Sequence, residues 1–180
     1  MKRSTRRVAI KVSSVLLLAG CVSATLVAGS GAAATGEGPR RAPAAPCTNS
    51  QIVAGGAQPT GAAQVRVTVT NKGNKPCVLN GFPTVALAGQ GSPDKNKPLQ
   101  VIRVGKAGPV QLAAGGRASA QLTFTPVLGE ADGYCASGSD PVVAPTMVVG
   151  VAGGRYQLAP SDGSEFALCG TTVRATAFRG

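Results

Sequence analysis

The chain has 180 residues, with 18 Lys and Arg against 7 Asp and Glu, a formal charge of +11. Histidine and tryptophan are absent and aromatics make up 3%. That removes the commonest general base and metal ligand, as well as the stacking platforms of nucleic-acid binders. With 25 Gly and 13 Pro, long helices are disfavoured, and short strands joined by turns are expected.

Residues 1–34 read as an export signal. Lys2, Arg3, Arg6, Arg7 and Lys11 precede an apolar run from Val12 to Ala28, and small residues follow. Two processing routes are open. Leu18-Ala19-Gly20-Cys21 resembles the lipobox of bacterial lipoproteins, whose cysteine takes a diacylglyceryl group. Alternatively the apolar core continues through Cys21, and cleavage follows Ala32-Ala33-Ala34. Four matched positions put the lipid anchor on Cys21 first, and a freely secreted chain second. A membrane helix is the weakest reading, because a run of 17 residues is short for a bilayer. Thr5-Arg6-Arg7 through Lys11 is similar to a twin-arginine export motif, but Ala9 replaces the usual aromatic, so general secretion is expected.

Without residues 1–34 the chain keeps 13 basic and 7 acidic side chains, a net of +6. Residues 35–46 are rich in Pro and Ala and read as an extended linker, reaching about 3 Å per residue where polyproline-like. The folded domain is expected over 47–180.

Within it, Gln64–Thr70 alternates strictly, with Val65, Val67 and Val69 on the buried face. Ala118–Thr125 and Thr171–Phe178 alternate likewise, with Leu122 and Phe124, then Val173, Ala175 and Ala177, facing inward. Shorter runs at Gln51–Ala54, Val85–Ala88, Leu99–Val104, Pro145–Val151 and Arg155–Leu158 bring the count to roughly eight strands. Turn signals between them point to an all-β fold, an antiparallel β-sandwich. Asp94–Lys97 and Arg103–Lys106 read as solvated loops or strand edges.

Either processing route takes Cys21 out of the disulfide count and leaves Cys47, Cys77, Cys135 and Cys169. An exported domain oxidises them, with three connectivities open. Cys47–Cys77 and Cys135–Cys169, nearest neighbours in order, are preferred. Each would close about 30 residues and stabilise by roughly 3–4 kcal/mol in the chain-entropy model. Zinc is disfavoured, since no C-x-x-C spacing exists and His is absent.

The stretch from Val67 to Leu87 holds Thr70-Asn71, Gly73, Cys77, Leu79 and Gly81-Phe82-Pro83. That pattern resembles an actinobacterial domain-of-unknown-function family, numbered forty-two thirty-two, of secreted and lipid-anchored proteins. The later run Val110–Phe124, with Cys135 and Cys169, is similar to the family's later strand and its last cysteines. Phe124 stands where relatives often carry Trp. The resemblance covers about Cys47 to the end. It implies an immunoglobulin-like sandwich outside the membrane and brings no catalytic residues.

Candidate sites are few. Gly29–Ala34 superficially matches a dinucleotide fingerprint but follows no strand. Glu130, Asp132 and Asp140 lack the alternating spacing of a calcium loop. Asp162 and Glu165 could form a glycosidase-like pair only if folding fixed their separation, and Ser92 has no His to activate it. Phe82 is expected to plug the sandwich end under Pro83. Lys72, Lys75, Lys95, Lys97 and Lys106 are candidate contacts for anionic wall polymer or a membrane surface. The expectation is therefore an exported, non-enzymatic cell-envelope module without cofactors, metal or nucleic acid. The alternative is an extracellular enzyme or enzyme inhibitor using loop carboxylates.

Overall fold

The computed structural model describes residues 43–129 and 133–180. The segment read as an export signal, with Cys21, most of the segment read as a linker, and Glu130 and Asp132 lie outside the described residues. The described chain forms thirteen strands. In order these are β1 (Ile52–Gly61), β2 (Gln64–Asn71), β3 (Cys77–Leu79), β4 (Thr84–Ala88) and β5 (Asn96–Pro98). Next come β6 (Gln100–Val104), β7 (Val110–Leu112), β8 (Arg117–Phe124) and β9 (Val142–Ala144). The last are β10 (Thr146–Val151), β11 (Gly154–Leu158), β12 (Phe166–Leu168) and β13 (Thr172–Thr176).

Two sheets make the sandwich: five strands in the order β1-β2-β8-β13-β6 and four in the order β11-β10-β4-β5. Alternation dictates their facing. Val65, Val67, Leu122, Phe124 and Val173 of the first sheet share one buried cluster with Val85, Leu87, Met147 and Val149 of the second. Their polar alternates turn outward. Short ribbons, β3 with β7 and β9 with β12, close the ends.

The all-β expectation holds, with two corrections. The sheets are not antiparallel throughout, because β6 runs parallel to β13. Its cause is the single residue between β5 and β6, the buried Leu99. With no room for a hairpin, the chain crosses from the four-stranded sheet to the far edge of the five-stranded one.

The second correction concerns the strand read through Phe178, whose alternation puts that ring outside. Ala175 opposes Leu122 and Arg179 opposes Ser119. Three residues therefore face two, a β-bulge, and the Thr176 hydroxyl accepts the Gln121 N–H at 2.9 Å in place of a ladder bond. Ala177 and Phe178 are consequently both buried, and Arg179 returns to the outer face.

One open side of the sandwich is tied rather than left as two free edges. The Ala57 N–H donates to the Ala159 carbonyl and the Ser161 N–H to that of Ala57, at 3.2 and 2.8 Å. The Tyr156 hydroxyl reaches from β11 to the Ile52 carbonyl at 2.7 Å, and burial raises its pKa. The outer face of the four-stranded sheet buries Ala86, Ala88 and Val148. The segment 89–95 is held there by Gln157 and Arg155, which donate to the Gly89 and Pro93 carbonyls at 2.7 and 3.2 Å.

Candidate functional site

Strand registers define two ends of the sandwich. At one end β2 finishes at Asn71 while β8 begins at Arg117 and β6 finishes at Val104. The four preferred cysteine partners are paired, Cys47–Cys77 across 30 residues and Cys135–Cys169 across 34. The first bond sits in a buried cluster at the Asn71 end with Ile52, Leu79, Leu112 and Phe178.

Asn71 organises that end. It is fully buried, and its amide donates to the carbonyls of Lys75, Leu112 and Ala113 at 2.8, 3.1 and 3.2 Å. Its Oδ1 accepts the Gly73 N–H at 2.9 Å. A Cβ on Gly73 would lie 3.1 Å from that oxygen, which explains the glycine in this turn. One side chain thus ties the β2–β3 turn to the β7–β8 turn.

Phe82 does not plug the core. Pro83 is the fully buried residue, while Phe82 is half-buried with the Arg103 guanidinium 5.6 Å from its ring centroid. The preceding Gly81 has φ 92°, a left-handed conformation that L side chains resist. The turn it makes leaves Phe82 partly exposed beside Arg103.

The five candidate lysines do not converge. Lys72 and Lys75 follow β2 and Lys106 follows β6, so these three share the Asn71 end. Lys97 opposes Leu87 and Asn96 opposes Ala88 on the edge of the other sheet. There Lys95 and Lys97 line a hollow of about 210 Å³ with Val142, Val143 and Ala144.

The described carboxylates are dispersed as well. Asp94 meets Arg155 at 3.8 Å, with both side chains exposed. Asp162 accepts from the Ser164 hydroxyl at 2.7 Å and from its N–H at 3.1 Å, and those bonds hold its pKa below the ordinary carboxylate value. That direction suits a turn-forming carboxylate and opposes the general-acid role of a glycosidase pair. Glu165 lines a hollow of about 100 Å³ between the β1–β2 turn and the segment before β12. Among the described residues no group of His, Cys, Asp and Glu could hold a metal ion.

The model of the family described as "domain of unknown function (DUF4232)" matches residues 44–179, about three quarters of the chain. The chain belongs to the DUF4232 family. No curated protein matches it.

What sequence reasoning missed in the DUF4232 domain is the outer face of the five-stranded sheet. Arg66 on β2 opposes Gln121 on β8, whose first residue is Arg117. Arg174 on β13 opposes Thr123, and the bulge brings Arg179 opposite Ser119. All four arginines are exposed. Two of them, Arg66 and Arg174, stood at outward positions of alternating runs, and Arg117 lay one residue before another. The strand order that makes them neighbours, and the bulge that adds Arg179, were not visible in the sequence.

Proposed function

We propose that this chain is an exported cell-envelope protein whose DUF4232 domain is a non-enzymatic binding module. The observation that carries the reading is the pairing of all four domain cysteines in two disulfides, which supports an oxidising, extracellular setting. The turn role of Asp162 and the exposed Asp94–Arg155 pair favour binding over carboxylate chemistry. The surplus of basic over acidic side chains favours an anionic partner.

The reading includes a diacylglyceryl anchor on Cys21, since stable attachment needs two acyl chains rather than one. Fractionation of cells expressing the full chain tests it. The parent should sediment with membranes, and Cys21→Ser should move it to the medium. Membrane retention by Cys21→Ser would remove the anchor. Recovery of the parent inside the cell with free thiols would remove the exported module itself.

A further inference from the structure

The four arginines on the outer face of the five-stranded sheet lie on one continuous surface. From strand spacing and rise, neighbouring Cα atoms of Arg66, Arg117, Arg174 and Arg179 sit about 8–14 Å apart across β2, β8 and the β13 edge, with Arg117 and Arg174 at opposite ends of the patch about 21 Å apart. Arginine side chains are long enough to close much of that distance. Their fields therefore overlap at a screening length of about 8 Å.

Among the described residues, no acidic side chain stands on this face. The four acidic side chains among the described residues, Asp94, Asp140, Asp162 and Glu165, all lie in loops, so no strand carries a carboxylate. Between the arginines stand Thr68, Ser119, Gln121 and Thr123, groups that both donate and accept hydrogen bonds. The large aliphatics Val53 and Ile102 are confined to the flanking strands β1 and β6. They are separated by the arginines and make no wedge for a bilayer.

We infer that this face binds an extended, soluble polymer of phosphodiester-linked polyol, with arginine forks on the phosphates and the Thr, Ser and Gln side chains on the hydroxyls. Guanidinium forks match phosphate oxygens bidentately, and a flat face suits a chain better than a compact ligand. The inference rests on the exported-module reading and names the partner of that module. It also moves the anion contact from the five lysines, which the fold separates, to arginines that the fold assembles.

Poly(glycerol phosphate) is the probe, titrated against the mature exported protein at physiological salt. The variant Arg66→Gln, Arg117→Gln, Arg174→Gln, Arg179→Gln should bind about 100-fold more weakly, from four exposed charge contacts of ordinary strength. A variant with Lys72, Lys75, Lys95 and Lys97 all changed to Gln loses the same charge and should bind within about threefold of the parent. Equal losses in the two variants would mean that net charge alone attracts the polymer, and would overturn the inference. So would absence of binding by the parent, or binding to phosphatidylglycerol vesicles at least as tight as to the polymer.

Unfolding curves of each variant accompany the titrations. Should the quadruple arginine variant lose its fold, Arg66→Gln with Arg174→Gln alone should still weaken binding about tenfold, and an unchanged affinity there overturns the proposal. Failure of the polymer to bind leaves the exported module standing, since that reading is decided by fractionation and thiol state.

Discussion

Replacing Cys47 and Cys77 together with Ala should cost the domain more stability than replacing Cys135 and Cys169. The closed segments are nearly equal, 30 and 34 residues. The chain-entropy term is therefore about 3–4 kcal/mol for either. Packing separates the two. Cys47 and Cys77 belong to a buried cluster with Ile52, Leu79, Leu112 and Phe178. Cys135 and Cys169 are equally buried, but among the described residues they join no such apolar cluster, and Cys135 follows the exposed Tyr134, which bridges to the exposed Leu128. The first double variant should lose about 4–5 kcal/mol and the second about 3 kcal/mol. Urea unfolding of both, with denaturant slopes compared to detect changes in the unfolded chain, checks the order. Equal losses, or the reverse order, would contradict the packing argument.

The second large effect belongs to Asn71. Asn71→Ala removes the donor to three carbonyls and the acceptor for Gly73 in a fully buried position. Groups left buried without a partner cost more than the net worth of the bonds they lose. The expected loss is about 3 kcal/mol. Asn71→Asp should be worse at neutral pH, because a carboxylate would face the carbonyls that the amide now serves. Its pKa in the folded state should rise above the unfolded value of about 4. The folded state then binds the proton more tightly, so this variant should be most stable below the unfolded pKa and lose stability as pH climbs from there through the raised folded pKa. An Asn71→Asp variant as stable at pH 7 as at pH 4 would show that the amide does not serve those carbonyls.

Strands long enough to alternate were legible in the sequence, and shorter ones were not. Gln64–Thr70 and Ala118–Thr125 show several repeats of period two and appear as β2 and β8 within one residue at each end. The five unread strands β3, β5, β7, β9 and β12 span three residues each, too few for a period to show. They exist because neighbours supply partners, as Cys77–Leu79 does for Val110–Leu112. The cysteine pairing followed from order along the chain, since each bond joins segments that the fold brings to one end. Alternation assigns a residue to a face but says nothing of which end of the sandwich it reaches. That is why Lys72 and Lys97 read as members of one site. The same limit hid the arginine face, which needs β2, β8 and β13 side by side.

Intact mass of the mature protein from the envelope fraction of producing cells tests the central claim, an exported disulfide-stapled module, most directly. The mass should correspond to a chain beginning at a diacylglyceryl-modified Cys21 or, in the secreted form, after Ala34. Either way it should be four hydrogens lighter than the reduced chain, for Cys47–Cys77 and Cys135–Cys169. A full-length chain retaining residues 1–34, with the domain cysteines open to alkylation, would contradict export and the binding role that depends on it.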